Sequence, residues 1–204
     1  MTQLKFSGCG DTHVQSTKVL DGLAIVFRIY NLVIDMSQPV KSTNMFNLRP
    51  IESGDDAQIA SIIRTVLTEY GADRPGFAWQ DPEVDAMTAA YYHAGRQYLV
   101  LEGEGGVIGG AGIAEFSCER TGVCELQKMY LLPEYRGLGL GKRLISDLLD
   151  RACQAGYRYC YLETLSSMTE AKGLYLSCGF TSLSQPWGNS CHNACDEWYY
   201  RALY

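Results

Sequence analysis

The 204-residue sequence lacks any uninterrupted run of about 18 apolar residues, the length that a membrane-spanning helix needs. The longest apolar run near its start, residues 23–27, is also too short for the core of a signal peptide. Internal repeats, low-complexity tracts and long runs of like charge are missing as well. We therefore expect one globular domain with no membrane partner and a cytoplasmic location.

Positive charge is scarce, with 17 Lys and Arg residues against 23 Asp and Glu residues and a net charge of −6. A nucleic-acid-binding surface needs an excess of positive charge, so we expect no nucleic acid partner. The eight cysteines are numerous, but an apolar content of 47% allows a chain of this length to build its core without disulfides. We therefore expect reduced thiols.

Only one of the three histidines lies beside cysteines, in the pattern C-H-x-x-C. This pattern supplies three ligands, Cys191, His192 and Cys195, whereas a structural zinc site takes four. We therefore expect no metal. The alternative of a zinc-dependent interaction domain rests on this short segment alone.

A glycine-rich turn, residues 136–141 (RGLGLG), is the strongest local feature of the chain. It follows a strand-like segment that ends at Pro133, and it precedes a helical apolar pattern at Leu144, Ile145, Leu148, Leu149 and Ala152. A strand, a turn and a helix in this order leave unpaired N–H groups at the helix N-terminus, where anions bind. Because the glycines allow close approach and Arg136, Lys142 and Arg143 add positive charge, the sequence predicts a phosphate-bearing ligand.

Two nucleotide-binding motifs do not fit this turn. A dinucleotide fingerprint would need its third glycine at Leu144, and a P-loop would need Ser or Thr at Arg143 and Gly at Arg136. The turn instead matches the pattern [QR]-x-x-G-x-[GA] at Arg136, Gly139 and Gly141. With the flanking segments 125–131 and 171–180, it resembles the GNAT superfamily of N-acetyltransferases.

From residue 45 on, periodicity predicts alternating strands and helices. The strands are predicted at residues 46–50, 97–101, 107–116, 123–132, 159–163, 180–183 and 196–202. The helices are predicted after Asp55 as N-cap, from Asp81 to Tyr92, from the glycine turn to Gly156, and after a capping box at residues 167–170. This is an α/β chain, and the resemblance implies the GNAT (acyl-CoA N-acyltransferase) fold, a mixed six- to seven-stranded sheet with about four helices. In that fold the strand before the glycine turn and the strand after the third helix splay apart around acetyl-CoA.

Residues 1–44 precede the predicted acetyltransferase domain, residues 45–204, and their role is left open. Between Val19 and Met36, polar residues recur every seven positions, as in an amphipathic helix. The β-branched residues of the same stretch are typical of a strand. The extension is either an appended segment without a role, or a docking or dimerisation helix that would make the protein a homodimer.

The resemblance implies transfer of an acetyl group from acetyl-CoA to a primary amine by direct attack on the thioester. Backbone groups of Met129, Tyr130 and Leu131 would hold the thioester carbonyl and the pantetheine amides. The pyrophosphate would bind N–H groups at the positive end of the following helix. The cofactor-binding residues implied there are Arg136, Gly137, Leu138, Gly139, Leu140, Gly141 and Lys142.

Two residues match the catalytic positions of the family. Tyr175 matches the tyrosine that protonates the departing thiolate, a role that suits a phenol with an ordinary pKa of about 10. The alternative is a core aromatic residue beside Leu174. Glu125 lies where many relatives have the carboxylate that deprotonates the amine; the alternatives are Glu115 as the base, or a solvated charge at the end of a strand.

The acceptor amine would be bound by loops, which carry no transferable code. Three loop aromatics, Phe77, Trp79 and Trp187, are the predicted substrate-binding residues, and they suit a small apolar or cationic amine, either a small molecule or a peptide. The alternative function is a catalytically silent acyl-CoA-binding sensor of the same fold. Because both catalytic candidates are present, the enzyme is favoured.

Overall fold

The computed structural model describes residues 28–29, 32–33, 45–188 and 194–203. The chain divides after residue 40 into two units. In the first, β1 (Arg28–Ile29) and β2 (Leu32–Val33) pair as antiparallel strands, so these four residues take the strand alternative that the sequence left open. Within the described residues, no helix has both the length and the apolarity to cross a membrane.

The described part of the second unit has seven strands in one mixed sheet and four α-helices, which confirms the predicted fold class. The strands are β3 (Asn47–Pro50), β4 (Gln97–Gly103), β5 (Gly106–Glu115), β6 (Val123–Leu131), β7 (Tyr159–Thr164), β8 (Thr181–Leu183) and β9 (Glu197–Ala202). The helices are α1 (Asp56–Glu69), α2 (Met87–Ala90), α3 (Leu140–Gln154) and α4 (Thr169–Ser177). The strand order is β3-β4-β5-β6-β7-β9-β8, and only β6 and β7 are parallel neighbours.

Both faces of the sheet are covered by helices, as the alternation along β4 indicates. Leu99 and Leu101 share a buried cluster with α3 and α4. Tyr98 and Val100, on the opposite face, share a second cluster with α1 and α2. Each fully buried apolar side chain of this size contributes roughly 1.5–3 kcal/mol, so these two layers supply the framework that fixes the position of β6.

Three glycines on β5 make room for two tyrosine rings and for the end of β6. A Cβ atom at Gly112 would lie 2.6 Å from Cε1 of Tyr91 and 2.7 Å from Cδ2 of Tyr98, and one at Gly110 would lie 2.6 Å from Cε1 of Tyr98. A Cβ atom at Gly109 would lie 2.5 Å from the backbone oxygen of Tyr130. The glycines therefore let aromatic rings and the end of β6 approach the backbone of β5 closely.

A β-bulge interrupts β6 at Lys128. Gly112 pairs with Gln127 and Gly110 pairs with Tyr130, so Lys128 and Met129 together face a single residue of β5. Lys128 has φ 48°, the left-handed conformation that glycine favours, and it is the only non-glycine residue with positive φ in the described part of the chain. The bulge changes the direction of the strand just before the glycine turn.

Asp55 stands at the N-cap position of α1, as predicted, but its side chain does not cap the helix. Its carboxylate oxygens accept hydrogen bonds from Arg49 at 2.7 and 2.9 Å, and one of them also accepts the N–H of Glu52 at 2.8 Å. Asp55 thus belongs to the capping box of a 3-10 turn, Ser53–Asp55, that precedes α1. The bond to Arg49 ties this turn to β3.

Two further helix predictions are corrected by the structure. The capping box predicted at residues 167–170 does not form, because the N–H of Thr169 bonds to the backbone oxygen of Ser167 at 3.0 Å and no side chain caps α4. The helix predicted to reach Tyr92 is a 3-10 segment, Pro82–Ala86, followed by the single turn of α2. The backbone leaves the helical region at Ala86, where φ is −144°.

Candidate active site

The strands β6 and β7 separate halfway along their length. They pair at three positions only, the last of which joins Glu125 to Tyr161, whereas β6 continues to Leu131. Beyond this pair, the described residues offer the edge of β6 no strand partner on the side of β7. The predicted gap between the two strands is therefore present, next to the glycine turn.

A cleft of about 370 Å³ occupies this gap and extends over the glycine turn. Eight of the ten predicted cofactor-binding residues line it, together with residues of α1 and α4. The exceptions are Leu138 and Leu140, whose side chains pack with the core beneath the turn. We call this space the glycine-turn cleft.

The glycine turn places backbone donors at the start of α3. Gly137 and Gly139 have φ values of 75° and 78°, and Gly139 is the N-cap of the helix. The first helical bond runs from the N–H of Arg143 to the oxygen of Gly139, so the three N–H groups before Arg143 have no acceptor within the helix. A Cβ atom at Gly141 would lie 2.8 Å from Leu174, which shows how closely α3 approaches α4.

The guanidinium of Arg136, which the sequence led us to expect beside the anion, makes contacts with protein groups at the edge of the cleft. Its two terminal nitrogens bind the carboxylate of Glu69 at 2.7 and 2.8 Å, and its Nε binds the backbone oxygen of Leu131 at 3.0 Å. Arg136 thereby lowers the pKa of Glu69 and ties the end of α1 to the end of β6. Arg143 likewise donates to the backbone oxygen of Phe46 at 2.7 Å, whereas Lys142 is exposed and lines the cleft.

A second pocket of about 70 Å³ adjoins the glycine-turn cleft. Its lining includes Phe77, Glu125, Gln127, Glu163 and Cys195. The two cavities share four residues, Met129, Tyr130, Met168 and Tyr175. A molecule in the cleft and a molecule in the second pocket would therefore meet beside the end of β6 and the ring of Tyr175.

Tyr175 is buried on α4, with its ring centre 6.0 Å from that of Phe180 and 6.1 Å from that of Tyr199. Burial raises the pKa of Tyr175 above its ordinary value, and the neighbouring thiol of Cys195 acts in the same direction. A phenol in this environment keeps its proton at neutral pH. It is therefore a donor toward a developing anion.

Glu125 is buried in the second pocket, whereas the alternative base, Glu115, is exposed at the end of β5. One carboxylate oxygen of Glu125 accepts a hydrogen bond from Nε2 of Gln127 at 2.5 Å. The amide oxygen of Gln127 in turn accepts a bond from Oη of Tyr91 at 3.0 Å. The sequence prediction missed Gln127, which strand alternation from Glu125 would have placed on the same face, and Tyr91, which no local pattern identifies.

The ammonium group of the bulge residue Lys128 forms salt bridges with two carboxylates, those of Asp81 and Glu83. Its Nζ lies 2.9 Å from Oδ2 of Asp81 and 2.5 Å from Oε1 of Glu83, and its side chain is only 2% exposed. Burial alone would lower the pKa of Lys128, but the bonds to these carboxylates raise it above its ordinary value. Since Tyr98 also donates to the backbone oxygen of Lys128 at 2.9 Å, the bulge is fixed from both sides of the strand.

The three predicted acceptor-binding aromatics lie in different surroundings. Phe77 lines the second pocket, and Trp79 packs beside the cluster of α1. Trp187 stacks on Tyr161 at 5.7 Å with 13° between the rings, under the guanidinium of Arg120. Of these three, Phe77 lines the second pocket, whereas neither tryptophan lines the second pocket or the glycine-turn cleft.

The candidate metal ligands are only partly described. Cys191 and His192 lie outside the described residues, and Cys195 lines the second pocket, where burial raises the pKa of its thiol to about 12. Among the residues that the structure describes, no three His, Cys, Asp or Glu side chains are grouped to hold a metal ion. All six cysteines in this part of the chain are free thiols.

Comparison with known proteins gives matches over most of the chain. The model of the Acetyltransferase (GNAT) family matches residues 63–180. The chain is 40% identical over 151 residues to YjgM, an uncharacterized N-acetyltransferase of Escherichia coli strain K12, and the match covers 73% of this chain and 90% of YjgM.

Solved structures show the same fold. A GNAT-family acetyltransferase from Staphylococcus aureus Mu50 superposes with a TM-score of 0.69 at 18% identity, covering 78% of this chain and 99% of that one. YncA from Salmonella typhimurium, solved with its cofactor acetyl-CoA, superposes with a TM-score of 0.63 at 23% identity, covering 78% and 95%. These matches confirm the resemblance and the fold that the glycine turn indicated.

Proposed function

The chain belongs to the GNAT family of acetyltransferases, and on that premise we propose that it transfers an acetyl group from acetyl-CoA to a primary amine. The amine attacks the thioester directly. The single observation that carries this proposal is the junction of the two cavities at Met129, Tyr130 and Tyr175. One cavity suits the CoA ester, the other suits the amine, and the reacting atoms would meet where they join.

The glycine-turn cleft has the groups that acetyl-CoA requires. Free N–H groups at the start of α3 suit a pyrophosphate, and the exposed Lys142 adds a positive charge beside them. The edge of β6 beyond Glu125 offers backbone groups to the pantetheine amides and the thioester carbonyl. The likeness to YncA with its acetyl-CoA supports this assignment.

The residues at the junction can manage the proton balance of the reaction. Glu125 accepts the proton that the ammonium must lose before its nitrogen forms the new N–C bond. As the C–S bond breaks, Tyr175 gives its proton to the departing thiolate sulfur, and the second proton that the new amide nitrogen loses restores the phenol, while the proton on Glu125 passes to solvent. A backbone N–H at Met129 or Tyr130 that stabilises the charge on the carbonyl oxygen would contribute about 2.7–4 kcal/mol.

The charge of the second pocket favours an acceptor with cationic groups and no carboxylate. Glu125 and Glu163 lie on one face of β6 and β7, since Glu125 pairs with Tyr161 and the hydroxyl of Tyr161 donates to Glu163 at 2.8 Å. The positive charge of Lys128 is compensated by the carboxylates of Asp81 and Glu83. An amine that carried its own carboxylate would meet like charge there. The wall at Phe77 accommodates methylene groups.

A matched pair of acceptors tests this function. The full-length protein is incubated with acetyl-CoA and either 1,4-diaminobutane or 4-aminobutyrate, in which a carboxylate replaces one terminal CH₂–NH₃⁺ group and the number of carbon atoms is the same. CoA is measured by chromatography, because the protein's own thiols would react with a thiol reagent. We expect acetylation of the diamine with a kcat/KM about tenfold or more above that of the amino acid.

Two outcomes would contradict the proposal. A preference for the amino acid would remove the acidic pocket as the acceptor site. Acetyl-CoA binding without CoA release from either compound, or from a wider amine and peptide panel, would favour the alternative of a catalytically silent acyl-CoA sensor. The burial of both Glu125 and Tyr175 in the lining of the second pocket is the observation against that alternative.

Two finer assignments belong to the same proposal. The free thiols and the absence of a long apolar helix from the described residues are compatible with the cytoplasmic location that we propose. A homodimer is also proposed, and size-exclusion chromatography with light scattering on the full chain tests it.

A further inference from the structure

Glu125 stands at the end of a hydrogen-bond chain that the mechanism above does not use. Oη of Tyr91 donates to Oε1 of Gln127 at 3.0 Å, and Nε2 of Gln127 donates to Oε2 of Glu125 at 2.5 Å. We propose that Gln127 and Tyr91 are positioning residues that hold Glu125 as an ionised acceptor in the pocket that it shares with Tyr175. The functional part of this inference rests on the proposed role of Glu125 as the base.

The backbone of β6 sets the first link of the chain. Glu125 and Gln127 are two residues apart on one strand, so their side chains lie side by side on the same face. The bulge begins immediately after Gln127, at Lys128, and ends this alternation. Gln127 is therefore the last residue before the bulge that can reach Glu125 along its own strand.

The glycine of the neighbouring strand sets the second link. Gln127 pairs with Gly112 of β5, and a side chain at Gly112 would occupy the space of the Tyr91 ring, 2.6 Å from its Cε1. Tyr98 flanks the same ring, with 5.1 Å between the ring centres. The Tyr91 hydroxyl is thereby fixed over Gln127 although Tyr91 belongs to the segment that follows α2, far away in sequence.

In this hydrogen-bond chain, each group donates toward Glu125: Tyr91 donates to Gln127, and Gln127 donates to Glu125. Burial first, and then the nearby Tyr98, Glu83 and Glu125, raise the pKa of Tyr91 well above its ordinary value, so its hydroxyl keeps a proton to donate. The amide of Gln127 then presents its oxygen to Tyr91 and its NH₂ group to Glu125. The reverse orientation would set two acceptor oxygens 2.5 Å apart unless Glu125 were protonated.

Other titratable groups face Glu125 and are held constant in the test. They are Lys128 and Tyr130 on its own strand, Tyr161 and Glu163 on β7, Tyr175 on α4 and Cys195 before β9. None of them is changed by the variants below. A shift in the titration of Glu125 therefore reports the loss of the hydrogen bonds that link Tyr91, Gln127 and Glu125.

The experiment follows the carboxyl carbon of Glu125 by NMR in full-length protein labelled with ¹³C-glutamate, with Glu125→Gln to assign the signal. Gln127→Met removes the donor with little change of shape, and Tyr91→Phe removes one hydroxyl. Tyr157→Phe is the matched control, because its hydroxyl donates to the backbone oxygen of Gly95 at 2.9 Å, away from the pocket. The measurement needs no amine, so it stands apart from the proposed function.

Removing a donor from an ionised carboxylate makes protonation easier, so the titration midpoint of Glu125 should rise. We expect a rise of roughly one to two pH units in Gln127→Met and a smaller rise in Tyr91→Phe. The double variant should match Gln127→Met alone, because Tyr91 acts through Gln127. Tyr157→Phe should leave the midpoint unchanged.

Three results would overturn the inference. The first is an unmoved or lowered midpoint in Gln127→Met. The second is an additive effect of the two substitutions, since Tyr91 would then act on Glu125 directly. The third is an unmoved midpoint in Tyr91→Phe. This variant removes only one hydroxyl, so it tests the inference by itself if Gln127→Met does not fold.

Turnover supplies a second readout that separates this inference from the proposed function. With an active amine, the acid limb of the kcat/KM profile should move upward in Gln127→Met by the same amount as the NMR midpoint, and the KM for acetyl-CoA should not change. A shifted NMR midpoint without any turnover would support the hydrogen-bond chain from Tyr91 through Gln127 to Glu125. It would contradict the role of Glu125 as the base. An acid limb that stays in place while the NMR midpoint moves would contradict the positioning role.

Discussion

At the scale of single residues, the proposed site combines a proton donor, Tyr175, with a proton acceptor, Glu125. Burial raises the pKa of Tyr175, so it remains a donor, while the amide of Gln127 donates to Glu125 and favours its ionised form. The resemblance to the family pointed to Tyr175 and Glu125 from the sequence, and their roles stay a prediction. Tyr91 could not be found in that way, because its contact with Gln127 depends on the empty space at Gly112 of another strand.

Replacing Glu125 by Gln removes the proposed base and keeps the shape of the side chain. At neutral pH we expect kcat/KM for a diamine to fall by about 10²–10⁴. The loss should shrink as the pH approaches the pKa of the amine, because the amine then arrives without its extra proton. The pH dependence of turnover checks this, with Glu115→Gln, an exposed carboxylate, as the control. An equal loss at every pH would contradict the base role.

Asp55 provides a test of stability against pH. The guanidinium of Arg49 lowers the pKa of Asp55, so this pair stabilises the fold above the unfolded pKa of about 3.9 and stops doing so as the pH falls through the lower folded value. Asp55→Asn should reduce the free energy of unfolding at pH 7 by about 1–3 kcal/mol, with a difference from wild type that shrinks below about pH 4. Urea denaturation measures both.

The control for Asp55 is another Arg–Asp pair. Asp85 accepts two bonds from Arg64 at the surface, at 2.7 and 2.8 Å, where solvent screens the charges. Asp85→Asn should therefore change stability little. A loss in Asp55→Asn that is the same at pH 3 and pH 7 would show that the pair with Arg49 does not account for it.

At the scale of elements, the site depends on how β6 ends. The sequence predicted this strand, the glycine turn and α3 well, because periodicity and glycine spacing are local properties of the chain. It did not predict the bulge at Lys128, which depends on the register between β5 and β6. Nor did it predict the 3-10 segment that begins after Asp81 and contains Glu83, the two residues that bind this lysine. These non-local contacts shape the second pocket.

The glycine turn can be tested with two matched glycines. Gly137 and Gly156 have φ values of 75° and 87°, and at both a Cβ atom would meet nothing within 4 Å. Valine should therefore cost each variant a similar strain of about 1–2 kcal/mol. Only Gly137 lies in the glycine-turn cleft.

Acetyl-CoA binding, measured by calorimetry, should distinguish the two variants. Gly137→Val should weaken binding by about tenfold or more, because the strained turn no longer aims its N–H groups at the pyrophosphate. Gly156→Val should bind as wild type does. Equal affinities would show that the anion is held elsewhere.

At the scale of the whole molecule, the family match at residues 63–180 lies inside the predicted domain of residues 45–204, whose boundaries remain a prediction. The sequence indicated the strands and helices of this domain, and the resemblance to the family implied the gap between β6 and β7. It gave no single structure for residues 1–44, where helical and strand patterns overlap. Of that stretch, the structure describes only the short pair of strands at 28–29 and 32–33.

A shortened protein, residues 45–204, tests the role of the extension. We expect it to fold and to bind acetyl-CoA as the full chain does, because the residues of both cavities lie after residue 45. Calorimetry and light scattering on both proteins measure affinity and mass. Weaker binding, or a change from dimer to monomer, would show that residues 1–44 contribute to acetyl-CoA binding or to dimerisation.

The central claim is that acetyl transfer takes place where the two cavities join, with Tyr175 as the acid. Tyr175→Phe removes one oxygen and keeps the ring between Phe180 and Tyr199. Tyr199→Phe is the matched control, because the hydroxyl of Tyr199 donates to Glu197 and does not line either cavity.

The measurement is the single-turnover rate of CoA release after protein with bound acetyl-CoA is mixed with an active amine. For Tyr175→Phe we expect this rate to fall by about 10²–10⁴ with the affinity for acetyl-CoA nearly unchanged, and for Tyr199→Phe we expect the wild-type rate. A wild-type rate in Tyr175→Phe would contradict the account: the proton would come from another group, and the junction at Tyr175 would not be the place of transfer.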